Sequence, residues 1–257
     1  MKLAEIFKLG QARELTDLDR PDTTIAHAEI IREKVFLKRI YIDFYGKIKA
    51  AIGEPEGKYI VELGSGGGCI KEVISNAVTS DVIDLPAVDM AFSAEQMPFG
   101  NSSVDAICMI DVLHHIKKPR SFFTEAQRCL KKGGKVVMIE PANTLWGRFI
   151  YKNFHHESFD TKAGWETDKT GPLSDANGAL PWIIFQRDRN IFQNEFPNLK
   201  IVDINYHTPL RYIISGGLIF RQLLPTLTYR LIVGLENCLS PFGRWLGMFE
   251  TIVLEKQ

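Results

Sequence analysis

Tyr59-Ile60-Val61-Glu62-Leu63-Gly64-Ser65-Gly66-Gly67-Gly68-Cys69-Ile70 runs from a β-branched stretch ending at an acid, through a glycine-rich loop, into helical spacing. Glycines let backbone N–H groups approach a ligand with no Cβ between them, and a following helix presents its positive end. A dinucleotide site needs G-x-G-x-x-G or A. Counted from Gly64 that last place is Cys69, so the pattern fails. The spacing present is E-x-G-x-G-x-G, from Glu62 through Gly64, Gly66 and Gly68. It suits a ligand without a pyrophosphate that needs close backbone approach and an acid to meet a cationic amino group.

Outward from this loop, short β-branched runs alternate with helical stretches, the pattern of a wound α/β sheet. The predicted strands are Tyr59–Leu63, Thr79–Val82, Ala106–Ile110, Val136–Glu140, Lys200–Asn205 and Phe249–Glu255. Helical spacing falls on Ile70–Asn76, Ser121–Leu130 and Leu180–Phe196, with Lys131-Lys132-Gly133-Gly134 as a helix stop. Upstream, Thr23–Ile52 reads as one broken or two consecutive amphipathic helices, with Thr24 as N-cap and Gly53 as stop. Two stretches exceed a minimal alternating sheet. Asn143–Gly178 carries Gly164, Gly171-Pro172 and Asp175-Ala176-Asn177-Gly178 and reads as a lid or substrate loop. Tyr212–Gly247, aromatic- and Leu-rich with turn marks at Ser215-Gly216-Gly217 and Pro225, separates two strands that would otherwise form a hairpin. The expected organisation is one domain over 1–257: a helical cap (1–57), a ligand-binding core (58–141), a lid loop and helix (142–198), and last strands (199–257) with a helical insertion at 212–247.

Composition narrows the function classes. At 257 residues, with 31 Lys+Arg against 31 Asp+Glu, the chain has no net field to attract nucleic acid or an anionic bilayer over distance. Cys69, Cys108, Cys129 and Cys238 form no CxxC pair, which predicts reduced thiols, no zinc site and no disulfide framework. Charges interrupt the apolar start Met1-Lys2-Leu3-Ala4-Glu5-Ile6-Phe7-Lys8, so no signal peptide is expected and the predicted location is cytoplasmic. The greasiest region, Leu210–Leu246, is cut by Arg211, Arg221, Arg230, Glu236 and Arg244. It could lie on a bilayer as a peripheral contact, but it is too interrupted to cross one.

Three further blocks follow in register. Ala94-Glu95-Gln96-Met97-Pro98-Phe99-Gly100-Asn101-Ser102-Ser103-Val104-Asp105, Val112-Leu113-His114-His115-Ile116 and Arg128-Cys129-Leu130-Lys131-Lys132-Gly133-Gly134-Lys135 join the glycine-rich loop across Tyr59–Pro141, roughly a third of the chain. Together they resemble the class I S-adenosylmethionine-dependent methyltransferases, in the small-molecule branch that includes the quinone-biosynthesis enzymes. The resemblance implies a doubly wound, mostly parallel sheet with an antiparallel last strand. It implies S-adenosylmethionine as cofactor and methyl transfer to a small acceptor, a lipophilic one included, with oxygen ahead of carbon as the acceptor atom. Gly64, Ser65, Gly66 and Gly68 would line the methionine and ribose, and Glu62 would orient the loop or reach the amino group through water. Asp81, at a strand end, would accept the ribose hydroxyls, with Asp84 as its alternative. Ser93, Ala94, Glu95, Met97 and Ile110 would sit around the adenine. Ser93 departs from the family's usual acid, so the contact would rest on a backbone N–H or Met97.

Methyl transfer from a sulfonium is an in-line displacement, and a base is needed only for a weakly acidic acceptor. Asp111, His114 and His115 follow the fourth strand, at the carboxyl end where open α/β sheets bind ligands, and are the candidate catalytic groups. The plain alternative for the two histidines is a helix-start pair with one satisfied by backbone and one in solvent. His155-His156 with Glu157 and Asp160 could be read as a metal cluster, but lacks the i, i+4 placement of helical zinc motifs; a polar lid segment is expected there and no metal. Two rival functions remain: a non-catalytic binding or membrane-surface module on the same fold, and an NAD(P)-dependent oxidoreductase. Asp81→Ala is expected to weaken S-adenosylmethionine binding by about 1.5–3 kcal/mol per charge-assisted hydrogen bond lost. Calorimetric titration measures this, and unchanged affinity would move the ribose role to Asp84.

Overall fold

The computed structural model describes residues 20–66, 68–155, 157–166 and 176–257. The segment from Met1, Gly67, His156, the Gly171-Pro172 mark and Asp175 lie outside the described residues. Seven strands form one sheet: β1 (Ile60–Glu62), β2 (Val78–Asp81), β3 (Met90–Ala91), β4 (Val104–Ile110), β5 (Leu130–Pro141), β6 (Leu199–His207) and β7 (Phe249–Lys256). Their order is β3-β2-β1-β4-β5-β7-β6. All neighbours pair in parallel except β7, which is antiparallel to both β5 and β6. β1, β4 and the second half of β5 are almost wholly buried, as centre strands covered on both faces must be. The two-residue β3 carries too little pattern to be read from sequence.

Alternation along β7 shows how the two faces are covered. Successive side chains point to opposite faces. Phe249 packs 5.1 Å from Phe44 of α2 (Val35–Ile52), whereas Glu250 accepts a hydrogen bond from Gln186 at 2.9 Å on the other side. That second face also holds α3 (Pro119–Cys129), whose Phe123 ring lies 5.0 Å from Phe192 and 5.3 Å from Phe196. The α2 face carries α1 (Pro21–Glu33) as well. Lys34 breaks α1 from α2. The helical stretch is therefore two helices, and it stops at Gly53 (φ 82°) as expected. Its cap is not Thr24: Pro21 begins the helix after Arg20, and Thr24 is buried inside the first turn.

Three local expectations are corrected. Ile70–Asn76 forms only a 3-10 turn, Ile70–Glu72, because Asn76 turns back to donate to the carbonyls of Pro55 (2.9 Å) and Lys58 (3.0 Å). Leu180–Phe196 is not one helix. α5 (Leu180–Trp182) and α6 (Arg189–Glu195) flank a π turn, Ile183–Arg187, closed by Asp188 N–H on the Ile183 carbonyl. The wide turn accompanies Gln186's reach to Glu250. Lys131–Gly134 is a bulge inside β5, since pairing jumps from Val104–Leu130 to Ala106–Lys135.

After β5 comes α4 (Leu145–Phe154), capped by the Thr144 side chain. Between β6 and β7 lies the predicted insertion, made of α7 (Arg211–Ser215), α8 (Tyr229–Leu239) and α9 (Gly243–Leu246) with short 3-10 turns. It packs on the N-terminal helices. Lys34 Nζ donates to the Gly217 (2.5 Å) and Phe220 (2.9 Å) carbonyls, Tyr229 packs 4.9 Å from Phe36, and the buried Arg211 pairs with Glu236 and Asp43. No helix among the described residues is long and apolar enough to cross a membrane. Phe44→Ala, which opens a cavity between α2, β6 and β7, is expected to lower unfolding free energy by about 3–5 kcal/mol. The exposed Leu231→Ala should change it by no more than about 0.5 kcal/mol. Urea denaturation of both variants checks the pair.

Candidate functional site

The glycine-rich loop leaves β1 and returns beneath β2. Ser65 N–H donates to the Ser80 carbonyl at 2.8 Å, and Gly66 N–H donates to Asp81 Oδ2 at 3.0 Å. Asp81 Oδ1 takes Ile83 N–H at 3.0 Å. Asp81 thus ties the loop to the end of β2, with further acceptor capacity on the same oxygens. Gly64 has φ 61°, and a Cβ there would drive into Val112. At Gly68 the space a Cβ would need is filled by the Tyr45 hydroxyl. The glycine there is thus demanded by α2, a contact that loop spacing alone does not reveal.

Glu62 is 2% exposed beneath this loop. Burial pushes its carboxyl up to about 7, against the opposing influence of the neighbouring Ser65 and Tyr45 hydroxyls. Its Oε2 has no hydrogen-bond partner, so the buried acid has unspent acceptor capacity.

Residues around the expected adenine position divide. Ser93 Oγ accepts Glu95 N–H at 3.2 Å, forming a tight turn, and Glu95 Oε1 accepts Lys118 N–H at 3.0 Å. Met97 is buried, and its N–H is spent on Glu125 Oε2 at 2.7 Å. Ile110 closes β4 at 9% exposure. Asp84 makes none of the loop contacts made by Asp81 and is exposed.

Beyond β4 a second polar group assembles. Asp111 holds a left-handed backbone (φ 56°) with its N–H on the Ile139 carbonyl at 2.8 Å. Burial pushes its carboxyl up to about 8, opposed by His114. His114 and His115 occupy a 3-10 turn, Leu113–His115. His114 is not solvated: its Nδ1 lies 2.6 Å from Glu140 Oε2, and Glu140 Oε1 accepts the Val112 (2.9 Å) and Leu113 (2.7 Å) N–H groups. Burial works against a charged imidazole, yet Glu140 and Glu157 raise His114 well above the ordinary histidine range. Glu157 is itself held far below the carboxylate range despite burial, through His114, His115 and His155. The polar lid expected at His155–Asp160 is therefore folded inward at Glu157, whereas Asp160 stays in the loop, its Oδ1 accepting Lys162 N–H at 2.9 Å. Burial raises the hydroxyls of Tyr41, Tyr151 and Tyr212, which lie near Asp111, above the ordinary phenol range.

Sequence reasoning missed Tyr45 and Glu140. An acid ending the apolar run Val136–Ile139 was the available signal for Glu140. None was available for Tyr45, which sits on the buried face of a distant helix. A surface groove of about 620 Å³ between α2 and α8, lined by Lys38, Arg39, Asp43 and Arg230 among others, is separate from both polar groups.

Residues 61–138 match the family described as "Methyltransferase domain". Over those residues the chain is similar to that family, on a mostly parallel wound sheet. Two curated relatives are similar over 38% of this chain. Demethylmenaquinone methyltransferase of Renibacterium salmoninarum is 27% identical over 114 residues, 48% of its length. The tRNA U34 carboxymethyltransferase of Pseudomonas savastanoi pv. phaseolicola is 30% identical over 107 residues, 34% of its length. The matched part thus spans less than half of either relative. A solved Thermotoga maritima "SAM-dependent methyltransferase, possible histamine N-methyltransferase" shares the fold at 15% identity, TM-score 0.51, covering 84% of this chain and 89% of its own.

The domain's residues fit S-adenosylmethionine on two grounds: the unpaired acceptor on Glu62 and the spare acceptor capacity of Asp81, on either side of the loop. A cationic amino group beside Glu62 favours its ionised form, so binding should release a proton. With burial pushing the free carboxyl up to about 7, affinity is expected to fall by up to about tenfold per unit below that pH, and to fall again above about 8 as the ligand's own amino group loses its proton. Calorimetry in buffers of different ionisation enthalpy measures the proton, and Glu62→Gln should abolish its release.

Proposed function

We propose that this chain transfers a methyl group from S-adenosylmethionine to a small lipophilic acceptor drawn from a membrane surface. The observation that carries the reading is the juxtaposition, at the carboxyl edge of one sheet, of the Glu62–Asp81 loop with the buried group around Asp111 and His114. Bound at the loop, S-adenosylmethionine would supply an electrophilic methyl group. Gly64, Ser65, Gly66 and Gly68 form the floor, Glu62 faces the amino group, Asp81 accepts ribose hydroxyls, and Ser93, Ala94, Glu95 and Ile110 border the base. Asp111, His114 and His115 border the acceptor, His114 as a group already holding its protons. Oxygen is preferred over carbon as the acceptor atom, because a site rich in titratable groups is of most use to a hydroxyl.

The lipophilic acceptor is supported by the rim. Leu145, Phe149 and Phe154 of α4, Leu231 and Leu235 of α8, and Leu223, Leu224, Leu227, Phe242 and Trp245 beside them are exposed, Leu227 at 86%. The charges accompanying them are Arg148, Lys152, Arg221, Arg230 and Arg244, while Glu236, the acid of this insertion, is buried against Arg211. Apolar side chains accompanied by these cations suit the interface of an anionic bilayer. A tRNA substrate, as in one relative's name, finds no support in a net charge of zero.

The test joins calorimetry with S-adenosylmethionine, S-adenosylhomocysteine and NAD to co-sedimentation with phosphatidylglycerol vesicles, followed by radiolabelled methyl transfer to extracted lipids. Binding of the first two ligands, vesicle association and label in the lipid fraction are expected. Leu227→Glu/Leu231→Glu should lower vesicle affinity at least about tenfold, since each leucine loses about 1.5–3 kcal/mol of burial, with cofactor affinity unchanged. Vesicle binding without cofactor binding would leave a non-catalytic module, and NAD binding alone an oxidoreductase.

A further inference from the structure

Among the described residues, three imidazoles surround one inward-turned carboxylate. Glu157 Oε2 lies 3.4 Å from His114 Nε2 and 3.6 Å from His155 Nδ1, and Glu157 Oε1 lies 3.7 Å from His115 Nε2. Charge-assisted hydrogen bonds of this kind close to about 2.7–2.9 Å, as the 2.6 Å contact of His114 with Glu140 does. The Glu157 separations are longer. Those of His114 and His115, 3.4 and 3.7 Å, are near the roughly 3.4 Å between two ligand atoms that each sit about 2.0–2.2 Å from a shared tetrahedral ion. One ligand atom from each of His114, His115 and Glu157 lies within 4.8 Å of the others, with side chains 2%, 15% and 15% exposed.

We propose that His114, His115 and Glu157 form a binding site for one first-row transition-metal dication, with Glu140 as the positioning residue. Glu140 Oε1 already accepts two backbone N–H groups, and its Oε2, 2.6 Å from His114 Nδ1, is placed to accept the Nδ1–H. With Nδ1–H held there, an ion that displaces the Nε2 proton meets an Nε2 directed at Glu157. A carboxylate accepting the outer N–H of a ligating histidine is the usual support of such a ligand. His155 stands outside the donor set because its Nδ1 accepts the Glu157 N–H at 3.3 Å. Two imidazoles and one carboxylate suit zinc, iron or manganese. Three protein ligands leave a position for an oxygen ligand, whose pKa the ion would lower. That last consequence, unlike metal binding, rests on the methyl-transfer reading.

The sequence pattern concealed this arrangement. His114-His115 and Glu157 lie on separate loops, and they meet only because the chain after α4 doubles back to pair Ser158 with Asn177 while Asn177 N–H donates to the His114 carbonyl at 3.2 Å.

The test uses the full chain stripped with chelator, titrated with Zn²⁺ by calorimetry and with Co²⁺ by visible absorption. Methyl transfer is not part of the readout, so its failure leaves the metal result standing. One equivalent of Zn²⁺ at about micromolar affinity or tighter, with ligand-field bands of a nitrogen-ligated Co²⁺, is expected. Glu140→Gln should weaken binding about 10–100-fold, Glu157→Gln and His115→Ala more than that, and His155→Ala by less than either. Circular dichroism checks that each variant is folded. Absence of stoichiometric metal in the parent chain, or parental affinity kept by folded Glu157→Gln and His115→Ala, would overturn the proposal.

Discussion

A buried carboxylate at the end of β5 sets the geometry of the whole carboxyl edge. Glu140 is completely inaccessible, and an anion so placed must be met by donors. It finds them in the Val112 and Leu113 N–H groups and the His114 ring, all on the neighbouring loop. The loop after β4 is therefore fixed against β5, and Asp111 is held in its left-handed conformation between them. The cross-strand partner of Glu140 is Glu250, which burial and the Glu140 charge push up to about 8. Glu140 is satisfied by donors, and Glu250 is bonded to Gln186.

The N-terminal helices and the β6–β7 insertion form a second unit of interdependence. α2 lies across the sheet with Phe44 on Phe249 and His207, and its Tyr45 hydroxyl fills the space over Gly68. The insertion reaches α2 through Arg211 and Tyr229, both bonded to Asp43. Packed side chains thus run from α8 through α2 to the glycine loop.

Much of the sheet was legible because its strands are short apolar runs separated by turn residues, a signal that is local. The glycine loop, Asp81 at a strand end and the histidines after β4 were legible for the same reason. Helical spacing misled at Ile70–Asn76 and within Leu180–Phe196. In each case a side chain with a distant partner, Asn76 with Pro55 and Lys58, or Gln186 with Glu250, accompanies the departure from the regular helix. The His155–Asp160 segment read as polar lid because nothing local shows that Glu157 turns inward.

By itself the sequence determined the wound α/β class, the loop geometry that only glycines permit, and the placement of acids and histidines at strand ends. These follow from backbone sterics and from period-two and period-3.6 patterning, which act over a few residues. Tertiary structure alone decided that Tyr45 closes the loop, that Glu140 locks His114, and that Glu157 meets both histidines. Those contacts join segments far apart in the chain, and the burial of charge that governs them exists only once the sheet and its covering helices exclude water.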